Sequence, residues 1–189
     1  MRQLLPLIVL LLAACGGSDT AADNAQGDST LVTPAFMAGR IHAMEDSIFA
    51  NPAFDRRGAV ALLDVYQAYA RAYPSDSLSP EYLVRAAGIQ RNLKDPQAAI
   101  DLFDRIIRDY PNWKDVVVCY YQKGIIYQDD LKQLGAAKTA YEEVVRRFPD
   151  HVFGQEAKLI IDNLQYSNEE LIERYRKQNE QAEAQGTGR

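Results

Sequence analysis

The stretch AIDLFDRIIRDYP at Ala99–Pro111 decides the fold, because the chain carries its pattern three times. The other copies are LLDVYQAYARAYP at Leu62–Pro74 and AKTAYEEVVRRFP at Ala137–Pro149, spaced 37 and 38 residues from it. Each copy has apolar residues at i, i+3, i+4 and i+7, the spacing of one face of an amphipathic helix. Each ends in an aromatic residue followed by proline, which cannot extend a helix. A recurrence of this length predicts an all-α array of stacked helix pairs.

The bulk composition indicates one globular domain. A chain of 189 residues with 25% charged and 47% hydrophobic residues has room for one real core. A net charge of −5 gives no sign of the concentrated basic face that nucleic acid requires. The sequence has no run of 18 apolar residues, so it predicts no transmembrane helix.

The N-terminus has the features of a secretion signal, with one positive charge before the apolar run Leu4–Ala14. The run ends in Leu12-Ala13-Ala14-Cys15, which resembles the lipobox of bacterial lipoproteins. That resemblance implies that residues 1–15 form a lipoprotein signal peptide whose Cys15 is acylated and becomes the first mature residue. Gly16 then favours the outer membrane, with the protein facing the periplasm. The alternative is a plain secretory signal that happens to precede a cysteine.

The rest of the chain divides by composition. Residues 16–33 are small and polar, so they are expected to form a flexible tether with a reach of roughly 25 Å. The helical array follows at 34–165, then a C-terminal helix at 166–181 that either caps the array or is displaced by a partner. Residues 182–189 lack an apolar period and are expected to be disordered.

Start and stop signals predict the helix boundaries. Thr33-Pro34, Ser79-Pro80 and Asp95-Pro96 each combine a capping residue with proline in the first turn, and Ser167–Glu170 resembles a capping box. The expected helices are 34–50, 55–73, 80–92, 96–110, 113–130, 135–148, 153–164 and 167–181.

The second and third helix pairs resemble tetratricopeptide repeats, whose helix–turn–helix unit sets small and large residues at fixed offsets. The first pair matches only in its second helix. The third pair has one extra residue between its helices, near Asp129–Leu134, and the second pair has Gln90 where tyrosine is usual. The matching positions are Leu83, Ala87, Ala99, Phe103, Ile106 and Pro111 in the second pair, and Tyr120, Gly124, Tyr127, Ala137, Tyr141, Val144 and Pro149 in the third.

The resemblance implies an α-solenoid of about three helix pairs with a groove formed by the first helix of each pair. Small residues let the helices approach closely, although Ala86, Ala87 and Gly88 each remain candidates for the tight position in the second pair. Arg91 and Tyr121 are the strongest binding candidates; the alternative is a solvated arginine and a packing tyrosine. The predicted groove positions are Glu81, Val84, Gly88, Arg91, Val118, Tyr121, Ile125 and Gln128.

No catalytic or metal-binding constellation is evident, so the sequence predicts no enzyme, metal or cofactor. His42 and His151 lack ligand partners at metal spacing, and surface or capping roles are expected for them. Cys119 lies in an apolar run and is expected to be buried. The pairs Asp104/Arg108, Glu142/Arg146 and Glu143/Arg147 are expected to be ordinary (i, i+4) surface ion pairs.

The leading hypothesis is therefore a lipid-anchored scaffold of the bacterial envelope that binds peptide segments or helices of partner proteins. By resemblance, it would serve outer-membrane assembly or envelope maintenance. The alternative is a glycan- or peptidoglycan-binding lipoprotein, which the eleven tyrosines would suit if they line the groove.

Overall fold

The computed structural model describes residues 32–50, 55–166 and 168–186, and all regular structure in these ranges is helical. The all-α prediction is confirmed. Cys15, the tether up to residue 31 and Ser167 lie outside the described residues. The elements are α1 Pro34–Phe49, α2 Arg56–Ala72, α3 Leu78–Asn92, α4 Pro96–Asp109, α5 Val116–Ile125, a π-helical segment Ile126–Asp130, α6 Leu134–Arg147, α7 Val152–Asn163 and α8 Asn168–Gly186. Within this part of the chain, no helix is both long and apolar enough to cross a membrane.

Capping side chains begin several helices as predicted. The Thr33 hydroxyl accepts a hydrogen bond from the Phe36 amide at 3.2 Å, and the Asp95 carboxylate accepts one from Ala98 at 3.0 Å. Proline follows each of these caps, where its missing N–H removes no helical bond. Asp55 caps α2 without a following proline, and its carboxylate accepts the Arg57 amide at 3.0 Å.

The predicted start of α3 at Ser79-Pro80 is wrong. The helix begins at Leu78, because the Asp76 carboxylate accepts the Leu78 amide at 2.8 Å one turn earlier. Ser79 is fully buried inside the helix, and its hydroxyl donates to the Tyr73 carbonyl at 2.6 Å. Ser79 therefore joins two helices instead of capping one.

The three aromatic–proline pairs end their helices with the same geometry. Tyr73, Tyr110 and Phe148 have φ between −129° and −134°, and each amide still donates to the carbonyl four residues earlier. The carbonyl of each aromatic then accepts the amide three residues on: Asp76 at 3.0 Å, Trp113 at 3.0 Å and His151 at 3.1 Å. Because this repeated turn leads into α3, α5 and α7, α7 enters the array as the first helix of another pair.

Each helix from α1 to α7 packs on the next, and the core runs between them. One buried cluster joins α1 to α5 and the π-helical segment, and a second joins α5 to α7. Among the largest fully buried side chains are Tyr66, Tyr69, Tyr82 and Tyr141, which fill the gaps between neighbouring helices. The array therefore has the layered core of stacked helix pairs.

The small signature residues lie where helices meet. Ala87, Ala99 and Ala137 are fully buried, and a Cβ placed on Gly124 would overlap the Tyr141 ring. Gly88 is different, since a Cβ there would meet no atom within 4 Å. The tight position of the second pair is thus at the buried alanines and not at Gly88.

The extra residue of the third pair is taken up by the π-helical segment. In the second pair the Ile89 carbonyl accepts the amide of Leu93, four residues on, at 2.8 Å. In the third pair the Ile126 carbonyl accepts the amide of Leu131, five residues on, at 3.0 Å. One inserted residue in a helix produces this widened turn. A residue at positive φ then follows each helix: Lys94 (φ 69°) and Lys132 (φ 55°).

Two of the three predicted surface ion pairs are wrong. Glu143 and Arg147 pair at 2.7 Å as expected. Asp104 instead pairs with Lys123 of the next helix at 2.5 Å, a contact that (i, i+4) spacing does not reveal. Closer partners also replace the predicted ones elsewhere: Arg108 with Asp109, Arg146 with Glu143, and Lys138 with Glu142.

The C-terminal helix is longer than predicted. α8 continues to Gly186, so the expectation that order ends after Gln181 is wrong for residues 182–186. The added residues Ala-Glu-Ala-Gln at 182–185 favour helix, and no breaker precedes Gly186. α8 meets α7 at Asn163, whose side-chain amide donates to the Tyr175 hydroxyl at 3.1 Å. Ile172 remains 69% exposed.

Candidate binding face of the first helices

One side-chain contact joins each successive pair of odd-numbered helices. Arg85 of α3 pairs with Glu45 of α1 at 2.5 Å. Arg91 at the end of α3 pairs with Asp130 of the π-helical segment that extends α5. The ring of Tyr121 on α5 stacks on that of Phe153 on α7, with centroids 4.6 Å apart. We call the surface formed by α1, α3, α5 and α7 the first-helix face.

Five predicted groove residues with side chains suited to binding are half-buried, and the last three of them are close to Tyr141: Glu81, Val84, Arg91, Tyr121 and Gln128. The Tyr141 hydroxyl donates to Gln128 Oε1 at 3.1 Å, and its ring meets Tyr121 edge to face at 5.8 Å. Burial raises the pKa of Tyr141, and the charge of Arg91 partly opposes that rise. The second helix α6 thus positions the binding candidates of α3 and α5.

Arg91 and Tyr121 are both held in place. Two guanidinium nitrogens of Arg91 bind the two carboxylate oxygens of Asp130, a forked geometry that fixes the arginine. Tyr121 is half-buried between Tyr141 and Phe153. Burial and the nearby Glu156 carboxylate raise its pKa. The binding role of Arg91 and Tyr121 stays a prediction. Both side chains are already held in place by neighbouring residues.

Three of the remaining groove positions are apolar and half-buried, and we call them together the apolar strip: Val84 on α3, and Val118 and Ile125 on α5. Val84 packs against the first core cluster and Ile125 against the second, and each keeps part of its surface open. Val118 is also half-buried, whereas Gly88 is exposed and leaves open space above α3. Glu81 stands at the start of this strip and is half-buried.

A buried carboxylate that sequence reasoning missed lies between α1, α2 and α3. Glu45 is 8% exposed, and its Oε1 accepts hydrogen bonds from the Tyr66 hydroxyl and from Arg85, both at 2.5 Å. The imidazole of His42 lies 3.1 Å from Oε2. Burial by itself raises the pKa of Glu45. The hydrogen bonds from Tyr66 and Arg85 and the nearby positive charge outweigh this effect and hold the pKa below its usual value.

Aromatic rings extend this cluster. Tyr66 stacks on Tyr82 at 5.3 Å, Tyr69 meets Tyr82 edge to face at 4.8 Å, and the Arg85 guanidinium lies 5.5 Å from the centre of the Tyr82 ring. The Tyr82 hydroxyl is buried without a hydrogen-bond partner. A glutamate within the apolar stripe of Ile41 and Ile48 was the signal in the sequence, since buried acids require partners.

The other candidate groups have structural roles. The Nδ1 atom of His151 accepts the Phe153 amide at 3.1 Å and caps α7, which confirms the capping expectation. His42 is exposed apart from its contact with Glu45. Cys119 is fully buried, and burial raises the pKa of its thiol to about 12. Among the described residues, no three His, Cys, Asp or Glu side chains come together as metal ligands.

Comparison with known families identifies the repeat. Residues 81–112 and 117–151 each match a family model described as Tetratricopeptide repeat. These segments coincide with the α3–α4 and α5–α6 pairs, so the chain contains tetratricopeptide repeats and its described array is an α-solenoid. Comparisons with curated proteins and with solved structures found no match. Tetratricopeptide repeats suggest a scaffold for protein–protein interaction.

Proposed function

We propose that this protein is a lipid-anchored scaffold of the bacterial cell envelope that binds partner proteins on its first-helix face. The observation that carries the proposal is the set of half-buried apolar residues Val84, Val118 and Ile125, which come from the first helices of both matched repeats, with the open position Gly88 one turn after Val84. Solenoids of this class bind extended peptides or partner helices on the surface that their first helices form.

The residues beside the strip suit a binding site. Tyr121 and Arg91 supply contact area and a polar handle, and both types are enriched at binding hot spots. Their contacts with Phe153 and Asp130 hold them before any partner arrives. Side chains that are already ordered lose less conformational entropy on binding, which favours affinity.

The anchor part of the proposal rests on the sequence Leu12-Ala13-Ala14-Cys15. Acyl chains on Cys15 would hold the protein at the membrane, since each buried methylene contributes about 0.8 kcal/mol and two or more chains give stable attachment. The polar residues 16–33 would keep the array close to the lipid surface. We place it at the outer membrane facing the periplasm, in outer-membrane assembly or envelope maintenance.

Glycan binding finds less support on this face. Sugars stack on an aromatic ring that has a free face, and Tyr121 is the aromatic among the predicted groove positions. One face of its ring is covered by Phe153, and the side chain is only partly exposed. A peptide that contacts the apolar strip fits the surface better.

Metabolic labelling with an alkyne fatty acid tests the anchor. Cys15→Ser should abolish labelling and leave an uncleaved or soluble protein, whereas Cys119→Ser should leave labelling unchanged because Cys119 is buried. Equal labelling of the two variants would rule out the lipid anchor.

Photo-crosslinking in cells tests the face. A photoreactive amino acid at Val118 should capture a defined protein partner, and the same group at Thr139, exposed on the second helix α6, should not. If both positions give the same products, or if only Thr139 gives one, binding does not use the first-helix face.

A further inference from the structure

The first-helix face carries an unbalanced set of charges. Every cation on α3 and α5 is already paired: Arg85 with Glu45, Arg91 with Asp130 and Lys123 with Asp104. By contrast, none of the ion pairs formed within 32–50, 55–166 and 168–186 includes Glu81, Asp129 or Glu156. The face therefore has carboxylates to offer a partner, while the cations of α3 and α5 are occupied.

These three carboxylates border the apolar strip from different elements. Glu81 is on α3, and its charge reaches Lys114, whose ammonium group pairs with Asp115 at 3.0 Å. Asp129 is in the π-helical segment and Glu156 on α7, close enough to Tyr141 and Tyr121 respectively to influence those hydroxyls.

The side of the array that includes the second helices α4 and α6 has a different charge arrangement. A cleft of about 510 Å³ lies between α4, α5 and α6. The charges along it are matched, because Asp104 binds Lys123 and Glu143 binds Arg147. Unpaired negative charge next to half-buried apolar surface is thus a property of the first-helix face and not of this cleft.

We infer that the partner presents an amphipathic segment with apolar residues flanked by lysine or arginine. This inference rests on the proposed function and names the chemistry of its partner. The apolar residues of the segment would cover Val84, Val118 and Ile125, and its cations would approach Asp129 and Glu156. Charge complementarity of this kind selects partners and speeds association more than it adds affinity.

The test uses the processed protein in nanodiscs of zwitterionic lipid, with empty nanodiscs as the blank. The probes are three fluorescein-labelled amphipathic peptides of about 16 residues, roughly four helical turns. They share one leucine stripe, and their polar face carries lysine, glutamine or glutamate. Fluorescence anisotropy should give the lowest Kd for the lysine peptide and the highest for the glutamate peptide. Salt at about 0.5 M should reduce the differences in Kd among the three peptides.

Matched variants separate local charge from net charge. Asp129→Asn with Glu156→Gln should weaken the lysine peptide about fivefold, as expected for two surface ion pairs. Asp101→Asn with Glu142→Gln removes the same net charge from exposed positions on α4 and α6 and should leave its Kd unchanged. Equal weakening by the two pairs, no preference for the lysine peptide, or no binding of that peptide would overturn the inference.

The variant Gly88→Trp distinguishes failure of the inferred basic partner from failure of the proposed function. If the variant blocks all three peptides while charge has no effect, the face binds partners but the inferred basic chemistry is wrong. If peptides bind the protein and Gly88→Trp weakens none of them, the first-helix face itself is not the binding surface.

Discussion

Gly124 on α5 and Tyr141 on α6 form a tight contact between the two helices of the third pair. A Cβ on Gly124 would lie 2.5 Å from Cε1 of the Tyr141 ring. The ring is 1% exposed, and its hydroxyl is held by Gln128. Because the ring has no free space to move into, the small residue at 124 and the large one at 141 depend on each other.

Gly124→Ala should destabilise the protein although alanine favours helix. We expect a loss of about 1–3 kcal/mol in the free energy of unfolding, the usual range for overpacking. Gly88→Ala is the control, because its Cβ would meet open space. It should raise the free energy of unfolding by about 0.5–1 kcal/mol. Urea unfolding followed by circular dichroism measures both, and shifts of the same sign would contradict this packing.

Truncation of the repeat aromatics should cost much more. Tyr141→Ala and Phe103→Ala each remove a buried ring between helices, and we expect each to lose about 3–5 kcal/mol. Tyr141→Phe keeps the ring and loses only the bond to Gln128, about 1 kcal/mol. Urea titration of the three variants gives the order, and an alanine variant as stable as Tyr141→Phe would contradict a shared repeat core.

Local signals in the sequence were sufficient to predict the helical array. Thr33 and Asp95 cap their helices, and the aromatic–proline pairs end theirs, because these effects act within a few residues. The extra residue near Asp129–Leu134 was also visible in the repeat spacing. Its conversion into a π-helical segment was not predicted, since a longer loop was an equally available solution.

Contacts between distant residues were not predictable from spacing. Glu45 and Arg85 are 40 positions apart, and only the packing of α1 beside α3 brings them together. The same holds for Asp104 and Lys123, where helix spacing had favoured Arg108. A single sequence gives the period of each helix, whereas the partner of a charge depends on how the helices are stacked.

Glu45→Gln should lower stability at neutral pH by about 1.5–3 kcal/mol, because it replaces a charged acceptor of buried hydrogen bonds. The folded state lowers the pKa of Glu45, so the stabilisation is fully present above the unfolded value. It is lost as pH falls through the lower folded value. The stability gap between wild type and Glu45→Gln should therefore be wide at neutral pH and narrow in acid.

Urea unfolding at a series of pH values measures that gap. Glu142→Gln is the control for removing one carboxylate, because Glu142 is exposed and outside this cluster. A gap between wild type and Glu45→Gln that stays constant from neutral pH into acid would show that the carboxylate charge does not hold α1 against α2 and α3.

Cys119 should be inert toward thiol reagents while the protein is folded. Burial raises its pKa to about 12, so at about pH 8 roughly one thiol in 10⁴ is ionised. In a Cys15→Ser background, a chromogenic disulfide reagent should react with Cys119 only after urea is added. Thr139→Cys supplies an exposed thiol as the positive control. Fast reaction of Cys119 in the native protein would contradict its burial.

The most direct test measures whether the partner captured by crosslinking at Val118 still binds the Gly88→Trp variant. A side chain at Gly88 meets open space, so tryptophan should leave the fold intact while it covers the apolar strip. Gly135→Trp on α6 is the matched control, since a Cβ there also meets nothing within 4 Å. With the purified partner, we predict that Gly88→Trp loses binding and that Gly135→Trp retains it, with unchanged unfolding for both. Full binding by a folded Gly88→Trp protein would contradict a binding site on the first-helix face.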